Sequence, residues 1–101
     1  MPQIVWLPEA LDDAIRLRTF LEDKSASAAA RMAETLNKGA ELLADFPEIG
    51  RPMNDGSDRR ELFTPFGSGG YVLRYIFTAQ TVFIIRVWHN RENRIPKEPT
   101  R

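Results

Sequence analysis

His89, Arg91 and Arg94 stand together at the end of an apolar stretch, "TVFIIRVWHNRENR" (Thr81 to Arg94), and His89 is the sole histidine of the chain. An imidazole titrates near neutrality and serves as a general acid or base. Guanidinium groups grip phosphates and carboxylates through paired N–H donors. The cluster therefore fits two chemistries, proton transfer at a phosphodiester or the capture of an anionic partner. A lone histidine is also a common structural group, and no second base or nucleophile lies beside it in sequence. Two further arginines interrupt apolar runs upstream: Arg74 in "YVLRYIF" and Arg86 in "TVFIIRVWH".

Strands must position these side chains, and side chains alternate across a strand. Tyr71, Leu73, Tyr75 and Phe77 share one face, as do Phe83, Ile85 and Val87 of the next strand. Val72, Arg74 and Ile76 share the other face with Val82, Ile84, Arg86 and Trp88. Burying an unpaired guanidinium is very costly. Helices are therefore expected over the uncharged face. Arg74, Ile76, Ile84, Arg86 and Trp88 are left on an open face, where arginine and tryptophan make good anchors for a partner chain. Pairing Phe77 with Phe83 sets Arg74 opposite Arg86, an unfavourable like-charge pair. An acidic partner or a phosphate would relieve it. So would stacking on Trp88, or internal pairing with Glu61 and Glu92.

The remaining elements follow from periodicity. "QIVW" (Gln3 to Trp6) reads as a strand. Pro8 suits the first turn of a helix. Ala10, Ala14, Leu17 and Leu21 form a helical stripe flanked by Leu11 and Phe20, so the first helix is expected from Pro8 to Asp23. Ser25 or Ser27 can cap a second helix. Its stripe is Ala29, Met32, Ala33, Leu36, Ala40 and Leu43. The short link makes the pair an αα-hairpin. Pro47 and Gly50 end it, and a polar loop runs to Asp58. Strands are expected at Arg60–Phe66, Tyr71–Phe77 and Thr81–His89. The "GSGG" turn joins the first two, and a hairpin around "TAQ" joins the last two.

Composition bounds the function. A chain of 101 residues fits one small domain, here residues 1–90, followed by a basic tail, 91–101. With no cysteine and one histidine, neither a disulfide framework nor a Cys/His metal site is expected. No signal peptide and no membrane span is evident, so the default location is cytoplasmic. Net charge is zero but uneven. Residues 1–49 hold 5 Lys/Arg and 9 Asp/Glu, and residues 50–101 hold 9 and 5. Either the asymmetry is chance or the C-terminal half offers a basic surface to an acidic partner or a nucleic acid.

The order β-α-α-β-β-β, with "FPEIGR", "RELFTPFGSGGYVLRYIF" and "VWHNRENR", resembles the RelE/ParE superfamily of bacterial toxins from Trp6 to Arg94. The resemblance implies an α+β fold, a small antiparallel sheet packed on an N-terminal α-hairpin. It implies a cognate antitoxin whose acidic and apolar C-terminal segment wraps the toxin. RelE-like members enter the ribosomal A site and cut mRNA with basic sheet residues and an acid or base near the C-terminus. ParE-like members poison DNA gyrase and are not nucleases. Val72 stands where the RelE pattern has an arginine, although Arg74 lies two residues on, on the same face. Arg59 and Arg60 lead into Glu61, Leu62 and Phe63, where RelE has a lysine pair. His89 and Arg91 match a "V-x-H-x-R" ending of both branches.

The resemblance thus points to a ParE-like toxin of a type II toxin–antitoxin module, inhibiting gyrase without cofactor, metal or catalytic residues. Arg74, Ile76, Ile84, Arg86 and Trp88 are then expected to meet the antitoxin, and Arg91 and Arg94 the target. The alternative is a ribosome-dependent endoribonuclease using Arg74, Arg86, His89 and Arg91. A third reading is an inactive binding module kept with its antitoxin.

Overall fold

The computed structural model describes residues 2–92. Strand β1 (Gln3–Trp6) leads into helices α1 (Pro8–Glu22) and α2 (Ala26–Asp45), then strands β2 (Arg51–Pro52), β3 (Arg60–Phe66), β4 (Gly69–Thr78) and β5 (Thr81–His89). One five-stranded sheet results, in the order β1-β5-β4-β3-β2. The fold is α+β. The sheet is antiparallel except at one edge, where β1 runs parallel to β5. A parallel pairing needs a long crossover, and the α-hairpin supplies it.

Each helix starts where its sequence allows. Pro8 occupies the first turn of α1, where a missing N–H leaves no bond unmade. The Leu7 N–H bonds to the Ile84 carbonyl at 3.0 Å, so the chain passes from β1 directly into the helix. Ser25 caps α2, accepting from the Ala28 N–H at 3.2 Å. The stripe of α2 is buried at Ala29, Met32, Leu36, Gly39, Ala40 and Leu43. A Cβ at Gly39 would sit 3.2 Å from the Thr64 methyl, so the missing side chain lets α2 settle on β3. Ala10 and Leu17 of α1 join Met32, Leu36, Ala40 and Leu43 of α2 in one core with Tyr71, Leu73, Tyr75, Val82, Ile84 and Val87 of the sheet.

The β4–β5 hairpin differs from the expected pairing. Arg74 does pair with Arg86, but Tyr75 pairs with Ile84 and Phe77 with Val82. Ile85 is an extra residue on β5, a bulge that advances the register by one. Its counterpart is the tight turn: Thr78 pairs with Thr81, and Ala79 and Gln80 take φ of 51° and 59°. Both central residues on the left-handed side mark a type I′ turn, whose twist suits a hairpin. Beyond the bulge the alternation reverses, so Val82 and Ile84 enter the core. Ile84, expected on the open face, is fully buried there.

Strand β2 was not foreseen. Its two residues pair with Arg60 and Glu61 at the sheet edge, a place where proline is tolerated. The "FPEIG" turn before it clasps the core. The Tyr75 hydroxyl donates to the Pro47 carbonyl at 2.7 Å and accepts from the Gly50 N–H at 2.9 Å. A Cβ at Gly50 would lie 2.6 Å from that hydroxyl, so the turn needs glycine for close approach. Among the described residues, no helix is long and apolar enough to cross a membrane.

Candidate functional site

Arg74 and Arg86 lie side by side on the sheet face away from the helices, as alternation predicts. Their mutual repulsion is relieved within the chain. Arg74 donates to one Glu61 carboxylate oxygen from Nε at 3.0 Å and from Nη2 at 2.6 Å. Glu61 is its cross-strand neighbour on β3. The same guanidinium lies 4.8 Å from the Trp88 ring centroid, a cation–π contact. Arg86 reaches instead to α1, where Nε and Nη2 meet the two oxygens of Asp13 at 2.8 and 2.9 Å. Each arginine thus has its own carboxylate. The expected partner Glu92 is used elsewhere.

Asp13 also accepts from the Val87 N–H at 2.9 Å, closing a donor on β5 beyond the end of β1. Arg16, one helical turn on, lies 3.7 Å from the same carboxylate. A buried carboxylate with three cationic or N–H partners is a structural clasp between α1 and β5. Trp88, expected to be open, is 6% exposed, as buried as Leu17 or Ala40, and Arg74 lies over its ring. Ile76 and Val72 are half-buried on this face, and Phe63, paired with Val72, is exposed.

His89 and Arg91 stand at another place, the end of β5 and the turn after it. His89 Nδ1 accepts from the Arg91 N–H at 3.1 Å, which leaves Nε2 for any proton transfer. The His89 N–H donates to Glu92 at 2.7 Å, and the other Glu92 oxygen takes Arg16 at 2.6 Å. The Tyr71 ring meets the His89 ring edge-on, with centroids 5.2 Å apart. Burial, with the Glu92 charge adding to it, pushes the Tyr71 phenol above its usual range. That hydroxyl is a neutral donor near pH 7, not a base. Arg91 donates to the Ser68 carbonyl at 3.0 Å and pairs with no carboxylate among the described residues.

These groups ring a groove of about 630 Å³ between α1 and the ends of β4 and β5. Leu17, Leu21, Phe66 and Tyr71 give it apolar walls, with Phe20, Arg16 and Arg91 also lining it. The structure therefore divides the four residues between two places. Arg74 and Arg86 form internal pairs on the outer sheet face, and His89 and Arg91 line a groove elsewhere. Arg94 lies outside the described residues. Arg16, Phe20 and Glu92 were missed as members of this groove. The available signal was Asp13, a carboxylate within the Ala10–Leu17 stripe, which required cations nearby. Among the described residues, no cluster of three or more His, Cys, Asp or Glu side chains could hold a metal ion.

Residues 4–94 match the family model of the ParE toxin of the type II toxin–antitoxin system parDE. Three toxins of Caulobacter vibrioides are similar. Toxin RelE1 is 35% identical over 82 residues, 81% of this chain and 86% of that relative. Toxin RelE3 is 37% identical over 87 residues, 86% of this chain and 92% of the relative. Toxin RelE2 is 36% identical over 89 residues, 88% and 96% respectively. The α-hairpin on a five-stranded sheet and a match spanning nearly every described residue agree: the chain belongs to the ParE toxin family, within the RelE/ParE superfamily of type II toxins.

Proposed function

We propose that this toxin acts by binding, in the manner of ParE, with DNA gyrase as its target and a cognate antitoxin as its neutralising partner. The observation that carries this reading is the state of the cationic groups. A nuclease of the RelE kind needs sheet arginines turned to phosphate, a group that takes the 2′-hydroxyl proton and another that protonates the leaving oxygen. Here Arg74 and Arg86 are held by Glu61 and Asp13. Among the described residues beside His89, Glu92 is tied to Arg16, and the Tyr71 phenol, held neutral, can donate a proton but not take one, so no second base stands there. A binding toxin requires only a shaped basic and apolar surface. In this reading Ile76, with Val72 and Phe63, forms the apolar part of an antitoxin surface. Arg74, Arg86 and Trp88 form its backing. Arg91 and Arg94 are contacts to the target.

The reading is tested by induced expression without antitoxin. His89→Ala is expected to keep growth inhibition within a few-fold. General acid–base catalysis is typically worth about 10²–10⁴-fold, so its loss would be plain. Truncation before Arg91 should abolish or sharply reduce toxicity. The second reading, mRNA cleavage on the ribosome, is favoured by one observation: Arg16, His89 and Arg91 share a groove. The RelE names of the similar Caulobacter toxins point the same way. Complete loss of toxicity in a folded, antitoxin-binding His89→Ala variant would select it.

A further inference from the structure

The turn that follows β5 is built from side chains that serve main-chain groups. His89 Nδ1 accepts from the Arg91 N–H at 3.1 Å. Asn90 Oδ1 accepts from the Gly70 N–H at 3.1 Å, and the Asn90 N–H donates to the Gly70 carbonyl at 2.9 Å. One Glu92 oxygen accepts from the His89 N–H at 2.7 Å, while the Glu92 N–H donates to the His89 carbonyl at 3.0 Å. Arg16 of α1 holds the other Glu92 oxygen. His89, Asn90 and Glu92 are thus all engaged in fixing backbone donors. Arg91 differs. Its guanidinium rests on the Ser68 carbonyl and pairs with no carboxylate among the described residues. Gly69, at the start of β4, lies against the whole turn. A Cβ there would stand 2.6 Å from Asn90 Oδ1, 3.0 Å from His89 Cε1 and 3.3 Å from Arg91 Nε. These three nearest atoms all belong to side chains of the turn. A methyl group would push Asn90 off the Gly70 N–H and crowd Arg91, and the strand backbone need not move. Gly69 does not have a left-handed φ, so what it supplies is close approach.

We infer that Gly69 and Asn90 are positioning residues for Arg91. Gly69 lets the turn fold down onto β4, and Asn90 fastens it there through its paired bonds with Gly70. The Arg91 guanidinium is then presented beside the groove in one orientation, locked by its supporting shell before the target arrives. Preorganisation of this kind removes the ordering cost of a long, flexible side chain from the binding step. Both residues act through Arg91 and not through contacts of their own. The inference rests on the reading of Arg91 as a target contact and adds what holds that contact in place.

The test is a double-mutant cycle on the full chain, read as growth inhibition on induced expression without antitoxin. Toxin levels are measured by immunoblot, and circular dichroism checks folding. Gly69→Ala is expected to raise the level needed for half-inhibition about tenfold, the scale of one well-placed contact. Asn90→Ala keeps the backbone bond to Gly70 and should raise it about threefold or more. Arg91→Ala should raise it at least as far as Gly69→Ala. Adding Gly69→Ala or Asn90→Ala to Arg91→Ala should then change nothing further, because the residue they act through is gone. A merely structural role would lower toxicity again in the double variants. A second reading needs no toxicity: the Arg91 amide, followed by hydrogen exchange in a labelled chain, should exchange about tenfold faster in Gly69→Ala. Where Arg91→Ala has lost toxicity, Gly69→Ala within about twofold of wild type overturns the inference alone, being the range of a neutral surface change. So does an additive loss in the double variants, or unchanged exchange at Arg91. Full toxicity of Arg91→Ala would overturn the target-contact reading and the inference with it. A wild-type chain that does not inhibit growth would bring down the toxin reading itself and, with it, the inference.

Discussion

Asp13 carries more of this structure than its place in a surface-type helix suggests. It holds Arg86 with both oxygens and takes the Val87 N–H as well. Asp13→Ala leaves a largely buried guanidinium and a β5 donor without their acceptor. The expected loss is about 3–5 kcal/mol, the range for breaking one side of a buried pair, read as a shift in a urea melt. Asp13→Ala combined with Arg86→Leu should recover part of it, because the stranded charge goes with its partner. A loss for Asp13→Ala below about 1 kcal/mol would mean the clasp is solvated. The same geometry changes what charge reversal of the sheet arginines can report. Glu at 74 or 86 would face Glu61 or Asp13, so lost antitoxin affinity would reflect damage to the fold as much as to a contact. The tyrosines give a pH signature. Burial, the largest cause at both sites, raises the Tyr71 and Tyr75 phenols above their usual value of 10.0. Above that value the unfolded chain loses protons that the folded chain keeps, so stability falls as pH rises from about 10 until the folded phenols ionise. Urea midpoints should drop between pH 9 and pH 11 by less in a Tyr71→Phe variant than in wild type. An equal drop would remove Tyr71 from this account. That Arg74 and Arg86 share a face was legible from alternation; their pairing was expected from a Phe77–Phe83 register, which the bulge at Ile85 replaces while leaving the two arginines opposite. Their carboxylates were legible only in part, since Glu61 was named and Asp13 was not. A helix contact 73 residues away leaves no mark in a strand's own pattern.

At the scale of elements, the α-hairpin is a stabilising layer. Leu36 is 4% exposed and sits in the core between Met32, Ala40 and the sheet. Leu36→Ala is expected to cost roughly 2–5 kcal/mol in denaturant melts, the usual range for truncating a buried leucine. A cost below about 0.5 kcal/mol would contradict the packing of α2. Both helices could be read from their apolar stripes, and β1, β3, β4 and β5 from β-branched and aromatic runs bounded by turn residues. The bulge at Ile85 could not. "VFIIRVW" is apolar on both faces, so its alternation does not say which residue is the extra one. A one-residue slip moves every later side chain to the other face. That slip is why Ile84 is in the core and not on the outer sheet face. Strand β2 escaped for a different reason, being two residues held at an edge by pairing with Arg60 and Glu61.

Across the whole molecule, the sheet places two surfaces on opposite sides of the α1–β5 clasp. The outer sheet face carries Phe63, Val72 and Ile76 around neutralised arginines. The groove carries His89, Arg91 and Arg16 around an apolar floor. Of the opening cluster, His89 and Arg91 line the second surface, but they gave no sign of its walls, because Leu17, Phe20 and Phe66 come from elements far away in sequence. On the proposed reading, the toxin acts by binding its target and is neutralised by a cognate antitoxin. The distinction between binding and cutting decides the account, and purified components decide it most directly. The wild-type chain is added in parallel to DNA gyrase with relaxed plasmid and to translating ribosomes with a defined mRNA. His89→Ala is run beside it. The account predicts that supercoiling is inhibited, that the mRNA stays intact, and that His89→Ala inhibits gyrase within a few-fold of wild type. Cleaved mRNA on ribosomes with unimpaired supercoiling, and no cleavage by His89→Ala, would contradict it.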